Sequence, residues 1–310
     1  MNTKTVSIVT PCFNEQNNLS PLVDEIINTN LPSEFSLYEI ILVDDGSSDN
    51  SQSMIKSLSQ KYPTVKGILF SKNFGNQNAI KAGLDAAGGD FIVSMDADLQ
   101  QPPSVIVEML ELTKQNYQIV LTERVDDEEI NLRVMCAKVF YIVLNSITKN
   151  PIPYGSSDFR LISKKVLNAI RQHREYETFF RGIIPEVGFK QCTIKYRARK
   201  RFSGKSKLSI KKLLNLAISG ITSSSVIPLR VSMMFGLLTS LVAFCYLIYI
   251  LYAKLIIGEV ISGWASTIVS ILFLGGVQLI CLGVIGEYIG KIFYEVKNRP
   301  PYIVDEKIGF

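Results

Sequence analysis

Short apolar runs at residues 6–10, 38–43, 65–70, 91–93 and 118–121 read as buried strands, and helical periodicity separates them, as at 54–60 and 105–114. Ser20-Pro21 reads as an N-cap followed by proline at the first helical position. This strand-then-helix rhythm predicts an α/β domain with a mostly parallel sheet and helices on both faces. In such sheets ligands sit at the carboxyl ends of the strands. Beyond residue 207 the pattern changes. Residues 231–253 and 260–286 carry no charge, and each exceeds the roughly 20 residues that cross a bilayer. The connection at 254–259 is too short for a domain, so the two spans predict a transmembrane hairpin. Ahead of it, Ile210, Leu213, Leu214, Ala217, Ile218 and Ile221 take one side of a helical repeat, and Lys211, Lys212, Asn215 and Ser219 the other. That is an amphipathic helix, expected to lie in the membrane interface. The predicted organisation is a catalytic domain at 1–207, a juxtamembrane helix and linker at 208–230, two spans within 231–290, and a C-terminal tail at 291–310.

Polar residues gather where the strands stop. Pro11-Cys12-Phe13-Asn14-Glu15 follows the first run, Asp44-Asp45-Gly46-Ser47-Ser48-Asp49 the second, Lys72-Asn73-Phe74-Gly75 the third, and Met95-Asp96-Ala97-Asp98-Leu99-Gln100-Gln101 the fourth. Asp96, Asp98 and the Gln100 amide can converge on one hard cation through a turn. Mg²⁺ or Mn²⁺ takes such oxygen ligands and shares them with substrate phosphates. Asp-x-Asp alone equally describes a solvated turn, and Ser48 and Asp49 are good helix caps; it is the succession of strand-end motifs that singles out the site.

In that order the motifs resemble family 2 glycosyltransferases of the nucleotide-sugar-binding GT-A fold. The resemblance implies that Pro11, Asn14, Glu15, Asp44, Asp45, Asp49 and Lys72 surround a nucleotide-sugar donor, with an aspartate accepting from the base. It also implies that Asp96, Asp98 and Gln100 hold a metal bridging the donor diphosphate. Gly155-Ser156-Ser157-Asp158-Phe159-Arg160, Phe180-Arg181-Gly182, Arg201-Phe202-Ser203-Gly204-Lys205-Ser206-Lys207, Gly286-Glu287-Tyr288 and Arg299-Pro300-Pro301-Tyr302 narrow the likeness. They are similar to the polyisoprenyl-phosphate hexosyltransferase branch, which includes dolichyl-phosphate mannose synthases and bacterial undecaprenyl-phosphate glucosyltransferases. The branch implies Asp96, Asp98, Asp158 and Arg124 as catalytic residues. Arg124, Arg133, Arg160, Arg201, Ser206 and Lys207 are the candidates for acceptor phosphate or diphosphate, since a guanidinium fork matches phosphate oxygens. One departure stands out: Asp127 and the acidity of 126–129 occupy what is often a basic loop.

Charge and composition agree with a membrane enzyme. The 310-residue chain carries a net +5, and Lys195, Arg197, Arg199, Lys200, Arg201, Lys205, Lys207, Lys211 and Lys212 crowd one segment beside the hydrophobic region. An anionic membrane surface is therefore the expected partner, not nucleic acid. Lys211, Lys212 and Arg230 before the hairpin, and Lys291, Lys297 and Arg299 after it, outnumber Lys254 between the spans. The positive-inside rule then puts both termini and the catalytic domain in the cytoplasm of a bacterial inner membrane. The run at 6–10 is short and continues as a strand, so no signal peptide is expected. The single His173 excludes any multi-histidine metal site, and the five cysteines form no Cys-x-x-Cys pair.

Three functions compete at this level. The first is inverting transfer of a hexose, glucose by the nearest resemblance, from UDP-glucose to undecaprenyl or another polyprenyl phosphate, for O-antigen or other cell-envelope glycan modification. The second is a related transferase acting on a lipid or glycan hydroxyl, which needs a carboxylate base, with Asp158 the candidate. The third is a non-enzymatic membrane protein, opposed by the intact strand-end motifs. The subgroup also allows a homo-oligomer, a tetramer.

Overall fold

A computed structural model describes residues 3–125, 145, 156–173, 180–199, 226–252 and 263–310. Arg133, Arg201, Ser206, Lys207, the acidic stretch 126–129, the amphipathic segment 210–222 and the connection 254–259 lie outside them. The described chain forms two units, Met1–Leu214 with Arg299–Phe310, and Asn215–Asn298.

The first unit is built on β1 (Lys4–Cys12), α1 (Leu19–Ile27), β2 (Phe35–Asp44), α2 (Ser51–Lys61), β3 (Val65–Phe70), α3 (Asn76–Ala86), β4 (Phe91–Ser94), α4 (Ser104–Thr113) and β5 (Ile119–Val125). To these it adds β6 (Ser156–Ser163), α5 (Lys164–Ile170), α6 (Phe180–Glu186), β7 (Gln191–Arg197) and β8 (Val304–Ile308). The eight strands order as β7-β5-β6-β4-β1-β2-β3-β8. The block β4-β1-β2-β3 is parallel, so four carboxyl ends share one edge, as the sequence rhythm predicts. Strand β6 breaks the pattern by running antiparallel between β4 and β5, while β7 returns parallel to β5.

Side chains alternate across the strands. Val6, Ile8, Ile40 and Leu42 join a core with Leu19 and Leu22 of α1, Ile55 of α2 and Met109 of α4. Val9, Ile41 and Val43 face the other way, onto Ala79 and Ile80 of α3, Val166 of α5 and Ile183 of α6. A helical layer thus covers each face, and burial on both sides is why these strands read as unbroken apolar runs.

Two expectations are revised. Helix α1 begins at Leu19 with Asn18 as its N-cap, not at Ser20-Pro21, because Glu15 already organises the start: its side chain takes the Asn18 amide and its carbonyl the Asn18 N–H at 2.9 Å. Residues 299–310 are no separate tail. Strand β8 pairs antiparallel with β3, Ile308 opposite Gly67 and Val304 opposite Phe70, and Lys56 holds Glu306 at 2.6 Å. Asp305, Glu306 and Lys307 are exposed along this edge, as charges on an edge strand discourage further pairing.

The second unit consists of α7 (Ile227–Tyr252) and α8 (Trp264–Lys297). Within them Ile227–Ile250 and Ser270–Lys297 are long and apolar enough to cross a membrane. Large apolar side chains such as Met234, Leu272 and Leu279 point outward from the pair. The helices touch each other, with the Cys281 thiol donating to the Ser232 carbonyl at 3.6 Å. Helix α8 continues past the expected end of the span at 286 and stops at Asn298, whose left-handed φ of 44° closes it.

The closest packing under the site is at Gly83 of α3, where a Cβ would stand 2.2 Å from Val9 Cγ1 and 3.2 Å from Val43 Cγ2. Alanine is the better helix former by about 1 kcal/mol, but overpacking costs about 1–3 kcal/mol. Gly83→Ala is therefore expected to lower stability, read as a lower thermal unfolding midpoint than wild type. An unchanged or raised midpoint would contradict this seating of α3 on β1.

Candidate functional site

At the ends of β1 and β2 the loops lace into each other. Pro11 lies within β1, opposite Val43, not after the strand as its motif suggests. Asn14 takes a left-handed φ of 57°, which asparagine tolerates better than most residues. Its side-chain oxygen receives the Ser48 N–H at 2.8 Å, and its own N–H reaches Ser47 Oγ at 2.8 Å. Glu15 N–H donates to Ser51 Oγ at 3.0 Å. Asp49 accepts from Ser51 N–H at 3.0 Å and from Gln16 N–H at 3.3 Å. Burial would raise the Asp49 pKa, but the bonds from Ser51 and Gln16 outweigh it and hold the group below its ordinary value.

Asp44 and Asp45 divide the work at the end of β2. Asp44 is fully buried; its Oδ2 takes Ser47 N–H at 2.9 Å and Gln52 Nε2 at 3.0 Å, while its Oδ1 has no partner. A buried acceptor left unmatched is costly and points to a missing donor. Asp45 faces the next loop, accepting Phe74 N–H at 2.6 Å and Gly75 N–H at 3.0 Å. Burial dominates there and raises its pKa. Lys72, on the same loop, is exposed and rests over the Phe74 ring at 5.1 Å.

The second cluster forms where β4, β5 and β6 meet. Met95 N–H extends the pairing to Val9 O at 3.0 Å, and the chain then turns through Asp96 to Gln101. Leu99 lies at φ 61° with its side chain buried, a left-handed backbone that a leucine adopts only where its surroundings enforce it. That turn lets Gln100 N–H donate to Asp98 Oδ1 at 3.1 Å. Gln101 grips Asp96 twice: it accepts the Asp96 N–H at 2.8 Å and donates to Asp96 Oδ2 at 2.7 Å. Gln100 is used differently from the metal-ligand expectation. Its side-chain oxygen accepts from Arg124 at 3.3 Å and its NH₂ donates to the Arg199 carbonyl at 3.3 Å, so it ties the turn to β5 and to the segment after β7.

Asp158 and Arg160 on β6 are both buried and paired with each other. Arg181 of α6 adds bonds of 3.2 Å to Asp158 Oδ1 and 3.1 Å to Oδ2, and Gln77 of α3 a third contact at 3.2 Å. Burial alone would raise the Asp158 pKa, but Arg181 and Arg160 overcome it and hold the carboxyl at about 2. Among the described residues Asp96 forms no ion pair, and Arg181 lowers its pKa only by its nearby charge. Burial, reinforced by the charges of Asp158 and Asp98, pushes it up to about 7.

Asp96, Asp98, Gln100, Arg124, Asp158 and Arg160 thus share one region, and Asn14, Glu15, Asp44 and Asp49 another. Gln77, Gln101 and Arg181 are the residues that sequence reasoning did not single out. Gln101 and Arg181 lie in quoted motifs, but only the fold shows which atoms they meet. Among the described residues no group of three or more His, Cys, Asp and Glu is placed to hold a metal by itself. Asp96 and Asp98 still suit a hard divalent ion in the mode that draws its remaining ligands from substrate phosphates: the donors are all oxygen, and the charge of Arg181 only partly offsets the burial of Asp96.

Residues 7–171 match glycosyl transferase family 2, and residues 227–292 match the GtrB C-terminal hairpin. The chain is 39% identical over 305 residues to the uncharacterized glycosyltransferase sll0501 of Synechocystis sp., covering 98% of this chain and 96% of the relative. It is 39% identical over 300 residues to the SfII prophage-derived bactoprenol glucosyl transferase of Shigella flexneri, covering 96% and 97%. Among solved structures it is similar to the mannosyltransferase PcManGT from Pyrobaculum calidifontis in complex with GDP-Man and Mn²⁺. That likeness has a TM-score of 0.45 and 17% identity, over 66% of this chain and 59% of the other.

The Asp158 cluster yields a stability prediction. Its folded pKa of about 2 lies below the unfolded value of 3.8. The stability it contributes is therefore whole above 3.8 and is lost as pH falls through about 2. Asp158→Asn also strips a buried guanidinium of its partner, at a cost of about 3–5 kcal/mol. Thermal unfolding is expected to show a lower midpoint for Asp158→Asn at neutral pH, and a gap to wild type that narrows as pH approaches 2. A gap independent of pH would contradict the assignment.

Proposed function

The chain belongs to glycosyl transferase family 2 and is a glycosyltransferase; from that premise we propose that it moves glucose from UDP-glucose to undecaprenyl or another polyprenyl phosphate, with inversion. The product is a β-linked lipid phosphosugar, for O-antigen or other cell-envelope glycan modification. The similarity to bactoprenol glucosyl transferases along nearly the whole chain supports the lipid phosphate acceptor. The two apolar helices support membrane association, and the charge bias of their flanks supports a cytoplasmic catalytic domain.

The observation that carries the choice of acceptor is the state of Asp158. A hydroxyl acceptor needs a base, and Asp158 is a poor one: both oxygens are bound by arginine or glutamine and its pKa is about 2. A phosphate monoester has a second pKa near 6, so at neutral pH it attacks without giving up a proton to the protein. Its oxygen forms the bond to the anomeric carbon as the bond to the diphosphate breaks. The electron pair departs on the nucleoside diphosphate, and displacement from the opposite face inverts the centre.

In this reading the loops around Asn14, Glu15, Asp44 and Asp49 hold the nucleoside, and the unpartnered Asp44 Oδ1 is the acceptor for a base N–H. Asp96 and Asp98 would hold Mg²⁺ or Mn²⁺. The ion, when bound, supplies positive charge to the departing diphosphate. Asp96 would hold the ion as a carboxylate, which makes it a ligand and not a base. Gln101 fixes the Asp96 carboxylate, and Gln100 with Arg124 holds the turn. Arg124 and the Asp158-Arg160-Arg181 group keep cations near the diphosphate, with Arg133, Arg201, Ser206 and Lys207 the remaining phosphate candidates. Assembly as a homo-oligomer, a tetramer, belongs to the same proposal.

Two experiments test it. Purified protein in membranes is expected to turn over UDP-glucose with polyprenyl phosphate and not with the matching polyprenol; comparable rates with the free alcohol would favour a hydroxyl acceptor instead. Asp98→Asn is expected to lower kcat by about 100-fold or more, the scale of losing a principal electrostatic stabiliser. Chelator is expected to abolish wild-type turnover and Mg²⁺ or Mn²⁺ to restore it, and full activity in chelator would remove the metal assignment.

A further inference from the structure

The motif Arg299-Pro300-Pro301-Tyr302 takes no part in the chemistry above, yet unbroken contacts join its tyrosine to the donor side of the site. Tyr302 stacks on Phe70 with ring centroids 5.0 Å and planes 12° apart, and its hydroxyl donates to Asp85 Oδ2 at 3.1 Å. Phe70, buried at the end of β3, meets Phe74 edge-on at 5.7 Å. Ser71 N–H donates to the Ile303 carbonyl at 3.1 Å, so the returning chain also holds the first loop residue by its backbone. Lys72 and Asn73 come next, packed against Gly46 so closely that a Cβ there would lie 2.3 Å from the Lys72 carbonyl carbon. Phe74 and Gly75 then give their amides to Asp45. Ser71 is thus held by the returning chain, Lys72 and Asn73 pack against Gly46, and Phe74 and Gly75 are held by Asp45.

We propose that Tyr302 is a positioning residue for donor binding: stacked on Phe70, it holds the 71–75 loop and, through that loop, the Asp44-Asp45-Gly46 turn on which the nucleotide rests. The inference builds on the nucleotide site proposed above. Without the ring Phe70 loses its flat cover, and the loop amides that Asp45 collects lose one side of their support. Donor binding then has to order the loop itself. That weakens binding in ground and transition states alike, so KM rises while kcat holds.

The test uses the full chain in membranes or detergent, with UDP-glucose and UDP as probes. Tyr302→Ala is expected to raise the donor KM and the UDP Kd about tenfold with kcat within about twofold, and to speed amide exchange at Phe74 and Gly75. Tyr302→Phe keeps the stack and stays near wild type. Glu306→Ala, which removes only the exposed pair with Lys56 on the same strand, leaves both constants unchanged. Tyr302→Leu covers Phe70 without stacking; it gives a KM raised about threefold, and it decides the matter if the alanine variant does not fold. Wild-type KM and wild-type exchange in the alanine and leucine variants overturn the role of Tyr302. Failure of wild type to bind UDP overturns the nucleotide assignment instead, and amide exchange, which needs no ligand, still reads the contact between Tyr302 and the loop.

Discussion

Carboxylates brought to the edge of an apolar sheet must be compensated, because a buried unpaired charge costs several kcal/mol. The parallel block β4-β1-β2-β3 delivers Asp44, Asp45, Asp96 and Asp98 to one edge, and antiparallel β6 adds Asp158 beside them. They are not answered alike. Asp45 collects two loop amides, Asp49 two more from the loops beside it, and Asp158 two guanidinium groups and an amide. The Asp96 carboxylate receives the Gln101 amide, and burial outweighs that bond and the nearby charge of Arg181 to raise its pKa. The compensation is complete at Asp45, Asp49 and Asp158 and incomplete at Asp44, whose buried Oδ1 has no partner, and at Asp96.

The same constraint explains what could be read from the chain. Strands β1 to β5 were legible because burial on both faces makes them nearly continuous apolar runs. Strand β6 was not, since Ser156-Ser157-Asp158-Phe159-Arg160 hides its apolar face behind an ion pair whose members neutralise each other only in the fold. Strand β7 alternates between exposed and half-buried positions over much of its length, and β8 carries three consecutive charges, a composition suited to an edge and resembling a tail. Asp96 and Asp98 announced themselves by residue type. Their partners did not: Gln77 and Asp158 are 81 residues apart, Arg181 and Asp158 23. Gln100 and Gln101 are neighbours of equal chemistry, and only the left-handed backbone at Leu99 decides which of them faces Asp96.

That backbone belongs to a wider pattern. Asn14 and Leu99 both hold positive φ, one in each loop cluster of the site, and such conformations persist when their surroundings over-determine them. At Asn14 the surroundings are Ser47 and Ser48 across the loop; at Leu99 they are the apolar seat of its side chain and the contacts of Gln100 to Arg124 and Arg199. Loops supported in this way keep their donors and acceptors aimed before any ligand arrives. That is the condition under which electrostatic stabilisation is most effective, since nothing has to reorganise as charge develops.

A loop of the site is also supported from the far end of the chain. After α8 it returns through two prolines, which limit φ on either side of the turn, and lays β8 against the outer edge of β3. The sheet already had a hydrophobic core without that strand; what β3 lacked was a partner at its open edge, next to the loop that feeds Asp45. A charged, partly exposed strand contributes little apolar burial, so its value lies in the backbone pairing it provides and in the ring it sets on Phe70. The C-terminal segment therefore packs beside the loop that feeds Asp45, a contact that its sequence, read as a tail, conceals.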